Sequence, residues 1–160
     1  MILYRISNHA DLSGLGGELA DGRWHTRDKG RRIVYTSDHP ALCILEILVH
    51  INNVEDMPND YQLLRIEVSD EHIKHQGPMI VEGGDSPSYD YLTNLAITQG
   101  LGNSWLHFED SGGLLVPSVL APFAKNCLLN PRVPEIAAIK PEVVGRFPFD
   151  KRLLRHFNHT

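Results

Sequence analysis

At 160 residues, with 42% hydrophobic and 22% charged side chains, the chain has the size and composition of one globular domain with its own core. A formal net charge of -5 argues against a surface built to clamp a nucleic-acid backbone, so particular arginines have to hold any anionic ligand. No apolar run approaches the roughly 20 residues of a membrane-spanning helix, and the N-terminus carries no export pattern; we expect a cytoplasmic protein.

Residues 2–6 (ILYRI) alternate as a first strand, with Arg5 between Tyr4 and Ile6. In the loop that follows, Gly14-Leu15-Gly16-Gly17 lacks the third glycine of a dinucleotide-binding turn and leads no strand into a helix. It reads as a flexible loop. Residues 32–37 (RIVYTS) form a second predicted strand, bounded by Gly30 and by Asp38-His39-Pro40. Asp38 or His39 caps the next helix, with Pro40 near its first position. That helix, ALCILEILVHI, is apolar almost all round, which predicts burial.

A strand at 61–68 (YQLLRIEV) and a helical stretch at 89–99, stopping at Gly100, come next. Apolar runs at 114–117, 127–129 and 136–139 are bounded by Pro or Gly, and the tail FDKRLLRHF (149–157) suggests a short terminal helix. The connections 52–60 and 82–88 are long and polar, and no repeat or linker divides the chain. Cys43 and Cys127, far apart with apolar neighbours, read as reduced core residues. Short strands mixed with two or three helices, without a βαβ rhythm, predict one α+β domain over residues 1–160 with a mixed β-sheet core.

Glu46 is the one charged side chain in the apolar helix. Helical spacing groups it with His39, Cys43, His50 and Asn53 in a narrow polar stripe. Either the stripe faces solvent or it lines a pocket, where a buried carboxylate needs a partner or a raised pKa. An arginine is the expected partner. Arg5 on the first strand and Arg23 between Gly22 and Trp24 each either snorkel and pair, or offer a planar fork to phosphate oxygens. Trp24 and Tyr35 are core aromatics or flat faces for a base or nicotinamide ring. Ser118, after Val116-Pro117, has no G-x-S-x-G elbow and suits hydrogen bonding better than attack. His72 and His75, like His156 and His159, are spaced by three, but no H-E-x-x-H or cysteine-pair framework accompanies them, so no metal centre is expected.

In chain order the landmarks are YRI (4–6), DGRWHTRDKGRRIVYTS (21–37), ALCILEILVH (41–50), GNSWL (102–106), LLVPSVL (114–120), KNCLLNP (125–131) and FDKRL (149–153). In this order and spacing the chain resembles the RES-domain family, toxins of bacterial RES–Xre toxin–antitoxin pairs, from about residue 2 to 154. The resemblance implies a fold similar to ADP-ribosyltransferases and an activity on NAD+. By motif, Arg5 matches the first-strand arginine, Arg23 the GRW arginine, Tyr35 the tyrosine ending I-V-Y, Glu46 the helix glutamate and Ser118 the V-P-S serine. The implied catalytic set is Glu46, Arg5, Tyr35 and Ser118; the implied NAD contacts are Arg5, Arg23, Trp24, Tyr35, Ser118 and Asn126. At His25 the chain departs from the family, where many relatives have Asn.

The implied reaction breaks the nicotinamide–ribose bond of NAD+ by water or phosphate, with NAD+ as substrate and no permanently bound cofactor. The implied partners are a cognate helix-turn-helix antitoxin of the Xre type and a second copy of the chain, with no direct nucleic-acid or membrane contact. Two rivals stay open: a protein ADP-ribosyltransferase, and a non-catalytic binding module.

Overall fold

The computed structural model describes residues 1–51, 59–80, 85–108, 111–121, 123–147 and 150–154. Among these, seven strands form one sheet: β1 (Ile2–Ser7), β2 (Val34–Ser37), β3 (Gln62–Glu67), β4 (Ile73–His75), β5 (Gly113–Pro117), β6 (Lys125–Leu129) and β7 (Glu142–Arg146). Their spatial order is β4-β5-β6-β2-β1-β3-β7. The β4–β5 pair is parallel and the others are antiparallel, so the sheet is mixed, as the sequence predicts.

The alternation of side chains along β5 and β6 creates two cores, one on each face of the sheet. Leu115, Cys127 and Leu129 pack with Leu3, Val34, Ile66 and Val68 on one face. Leu114, Val116 and Leu128 pack with Trp24, Tyr91 and Trp105 on the other. Both cysteines are free and buried.

Helix α1 spans Gly16–Leu19, α2 Pro40–Leu48, α3 Leu95–Phe108 and α4 Pro134–Ala137. His39 is the N-cap of α2: its Nδ1 accepts from the Ala41 N–H at 3.1 Å, and Pro40 follows. The helix is less buried than its composition suggests. Leu42 and Cys43 face β1 and β2, whereas Leu45 and Val49 are exposed, because α2 packs through one side only.

Helix α3 does not stop at Gly100. The Asn94 side chain accepts from the Ala96 and Ile97 N–H groups at 3.0 and 3.3 Å and starts the helix after a 3-10 turn at Asp90–Thr93. It then runs through Gly100 and Gly102. At Gly102 a Cβ would collide with the Trp24 carbonyl, so this glycine allows a close approach and does not end the helix. The cluster expected to be a flexible loop contributes Gly16 and Gly17 to α1. The 136–139 run falls in α4 and its C-terminal turn, and β4 and β7 were not anticipated. In the tail, Lys151–Leu154 forms a 3-10 turn. Asn53, His156 and His159, with most of the 52–60 connection, lie outside the described residues. Among the described residues no helix is long and apolar enough to cross a membrane.

The sheet is weakly joined in the middle. Strands β1 and β2 register only at Tyr4↔Ser37, while β2 registers with β6 along its length and β1 with β3 along its own.

Candidate active site

A cleft of about 960 Å³ opens over this seam, lined by Arg5, Arg23, Tyr35, Glu46, Pro117 and Asn126 among others. It lies in the upper part of the usual range for small-molecule sites. A second depression, of about 150 Å³ and bordered by Asp28 and Arg132, is too small for a dinucleotide.

Glu46 enters the cleft from α2 and is half-buried. Its Oε1 accepts from Asn126 Nδ2 at 2.6 Å and from Ser118 Oγ at 3.4 Å. Among the described residues Oε2 has no hydrogen-bond partner. Both supports are themselves held. Asn126 Oδ1 accepts from Ser37 Oγ at 2.7 Å, which together with the carboxylate fixes the orientation of the amide. Ser118 Oγ accepts from the Leu120 and Ala121 N–H groups at 3.1 and 3.2 Å, leaving its proton for Glu46. The chain thus folds so that neutral donors steady one carboxylate oxygen and the other stays available.

The expected arginine partner for Glu46 is absent among the described residues. Arg5 instead spans the seam, donating from Nη1 to the Tyr35 carbonyl at 2.9 Å. Its Nε is buried without a partner, and burial lowers the guanidinium pKa below its ordinary value against the opposing pull of Asp11. Arg23 sits at the rim, exposed, with Nη1 donating to the Leu92 carbonyl at 3.3 Å. A neutral amide and a hydroxyl solve the problem of holding Glu46 more cheaply than an ion pair, since no second charge has to be desolvated.

The aromatic candidates separate. Trp24 is 2% exposed and packs in the core beneath the cleft. Tyr35 is half-buried, and its hydroxyl meets the Trp24 N–H at 3.1 Å and His25 Nδ1 at 2.8 Å. Cys43, behind Glu46 on the same helix, donates to the Tyr4 carbonyl at 3.3 Å; burial pushes its thiol up to about 11, which suits packing and not nucleophilic attack. Of the residues singled out from sequence, the structure gathers Glu46, Ser118 and Asn126 on one carboxylate and joins Arg5 to Tyr35. Ser37 was missed. Its only signal is the register Ser37↔Asn126, which no local pattern reveals.

A family model described as RES domain matches residues 2–150. A protein of Pseudomonas putida described as Toxin Res is 40% identical over 156 residues, covering 96% of this chain and 99% of the relative. A Sphingobium protein described as a Prs ADP-ribosylating toxin is 33% identical over 145 residues, covering 91% and 88%. Among solved structures, the crystal structure of the M. tuberculosis MbcT–MbcA toxin–antitoxin complex contains a chain that matches with a TM-score of 0.66. The match covers 99% of this chain and 89% of that one, at 18% identity, and is a likeness of fold.

Proposed function

This chain belongs to the RES-domain family, and from that membership we propose that it is the toxin of a toxin–antitoxin pair and breaks the nicotinamide–ribose bond of NAD+. The observation that carries the proposal is Glu46: a carboxylate steadied on one oxygen by Asn126 and Ser118, with its other oxygen unpartnered among the described residues, beside a cleft of dinucleotide size.

In this reaction the bonding pair leaves with the ring nitrogen. The pyridinium becomes neutral nicotinamide and needs no acid, while positive charge develops on the ribose in an oxocarbenium-like transition state. Arg5 and Arg23 hold the pyrophosphate, the first through donors that burial keeps from water. The free oxygen of Glu46 takes a ribose hydroxyl and stabilises the cationic sugar. Tyr35 packs on the nicotinamide side; Asn126 and Ser118 hold Glu46 in place. Water, which loses a proton to solvent, or phosphate then bonds to the ribose carbon that nicotinamide has left.

The Sphingobium relative supports a second outcome, transfer of ADP-ribose to a protein acceptor after the same first step. A toxin acting on a shared cytoplasmic pool needs restraint, and a cognate helix-turn-helix antitoxin covering the cleft would supply it.

The test is incubation of purified folded protein with NAD+, with and without phosphate, following nicotinamide release and ADP-ribose on protein. Nicotinamide release is expected; ADP-ribose on protein would select the transferase outcome. A folded protein that releases no nicotinamide under any condition would leave a binding module and overturn the proposal. In cells, expression of the chain alone should arrest growth and lower NAD+.

A further inference from the structure

The hydroxyl of Tyr35 is enclosed by the turn that carries Gly22, Trp24 and His25. The Gly22 N–H donates to the His25 carbonyl at 2.9 Å and closes the turn. A Cβ at Gly22 would collide with the Tyr35 hydroxyl and with the His25 ring, so only glycine lets the backbone lie over the pair. His25 is 3% exposed. Its Nε2 is buried without a hydrogen bond of ordinary geometry, while the backbone carbonyls of Gly17 and Ala20 act to favour a proton on the ring.

A count of protons decides the direction of the short contact. The phenol has one proton, and its oxygen already accepts from the Trp24 N–H. Among the described residues Nδ1, at 2.8 Å, is the one acceptor within reach of that proton, so Nδ1 accepts it and the neutral imidazole carries its own proton on Nε2. We propose that His25 is a positioning residue for the reaction on NAD+: its Nδ1 accepts the Tyr35 hydroxyl proton, ties the phenol oxygen to the Gly22–His25 turn, and leaves the ring face as what Tyr35 offers the cleft. This rests on the NAD+ reading above. On this assignment Tyr35 moves no proton to or from substrate, consistent with burial raising its phenol pKa well above the ordinary value.

The arrangement has one failure mode. A protonated His25 carries hydrogen on both nitrogens and cannot accept, so the phenol proton is released to seek another partner. Burial is the largest influence on His25 and disfavours that state; Arg31 opposes it too, while Asp21 and the two carbonyls favour it. On the Tyr35 side, Glu46 and Arg23 are the charged neighbours. The release therefore falls on the acid side of the ordinary imidazole range.

Two measurements test the assignment. In nitrogen-15 NMR of the uniformly labelled protein, His25 should be the Nε2–H tautomer, with Nδ1 shifted as a hydrogen-bond acceptor and that shift lost in Tyr35→Phe. An Nδ1–H tautomer, or no response to Tyr35→Phe, would overturn it. In nicotinamide-release kinetics, His25→Ala should raise KM for NAD+ about tenfold, the scale of one lost hydrogen bond, and abolish the acid limb of the pH profile. His25→Asn, whose Oδ1 takes the place of Nδ1, should restore KM to within about threefold with no acid limb. Wild-type KM and acid limb in His25→Ala would refute the positioning role. If His25→Ala does not fold, the His25→Asn profile and the tautomer decide. A wild-type protein that releases no nicotinamide refutes the NAD+ reading, and the tautomer still decides the His25–Tyr35 bond.

Discussion

Toward β6, strand β2 registers residue by residue from Val34↔Leu129 to Ser37↔Asn126, and Thr36 Oγ1 adds a buried 2.6 Å hydrogen bond to the Cys127 carbonyl. Toward β1 it registers at Tyr4↔Ser37, and the next carbonyl, that of Tyr35, is taken by the Arg5 side chain. On the first flank, backbone satisfies backbone and apolar cores cover the sheet on both faces. On the second, side chains satisfy backbone. A ladder can be opened only by breaking strands, whereas a guanidinium or a carboxylate can exchange partners when a ligand arrives. The same sheet therefore provides a rigid wall and a site.

Substitutions on the two flanks should separate activity from stability. The largest effect is expected from Glu46→Gln in the cleft over the open flank, where α2 brings the carboxylate to Asn126 and Ser118. The amide oxygen still accepts from Asn126 and Ser118, so the melting temperature should hold, while nicotinamide release falls by about 10²–10³ with loss of a preorganised charge. A stable and fully active Glu46→Gln protein would sink the mechanism. Arg5→Lys keeps the charge but loses the fork that reaches the Tyr35 carbonyl; KM for NAD+ should rise roughly tenfold or more, as for one charge-assisted hydrogen bond. An unchanged KM would remove Arg5 from the site and leave Arg23 as the phosphate ligand.

On the closed flank, Thr36→Val should do the reverse. It removes one buried donor and should cost about 1 kcal/mol, seen as a melting shift of roughly 2–4 °C, with turnover per folded molecule unchanged. A fall in turnover would mean that the two flanks are coupled. The smallest effect is expected from pH. Burial holds native His25 below its ordinary value of 6.5, so as pH falls below 6.5 the unfolded chain takes up a proton that the native chain refuses. Stability is therefore full above that value and is lost as pH falls toward the native pKa. Melting temperature followed from about pH 7 to pH 5 should decline less steeply in His25→Asn than in the wild type.

What sequence alone could show follows the same division. Strands at 2–6, 32–37 and 61–68 were legible because β1, β2 and β3 carry their own alternation, and α2 because His39 and Pro40 mark its start. Strand β4 is three residues, Ile73–His75, with one buried side chain; its strand character comes from pairing with β5, some forty positions on. Strand β7 has Val143 and Val144 both exposed and so shows no alternation. Gly100 reads as a helix end by every local rule, and the contact that explains the glycine at 102 lies at Trp24. In the site, Glu46 stood out as a lone charge in apolar sequence. Ser118 was legible as a hydrogen-bonding group and Asn126 through the family resemblance, but Ser37 and the network the three form were not, because Ser37 and Asn126 meet through strand register and Ser118 arrives from the end of β5.

Helix α3 holds the 21–26 segment from one face. Gln99 Nε2 donates to the Gly22 carbonyl at 3.0 Å, Gly102 lies against the Trp24 carbonyl, and Asn103 takes the Thr26 N–H on its Oδ1 at 3.1 Å. Two glycines make α3 an intrinsically poor helix, by roughly 1 kcal/mol each relative to alanine, so its persistence draws on that grip and on the packing of Trp105 and Leu106 with Trp24 in one core. Neither partner is well made without the other. They form one cooperative unit, and hydrogen exchange at the Trp24 and Thr26 amides should report the same opening free energy as exchange in the middle of α3.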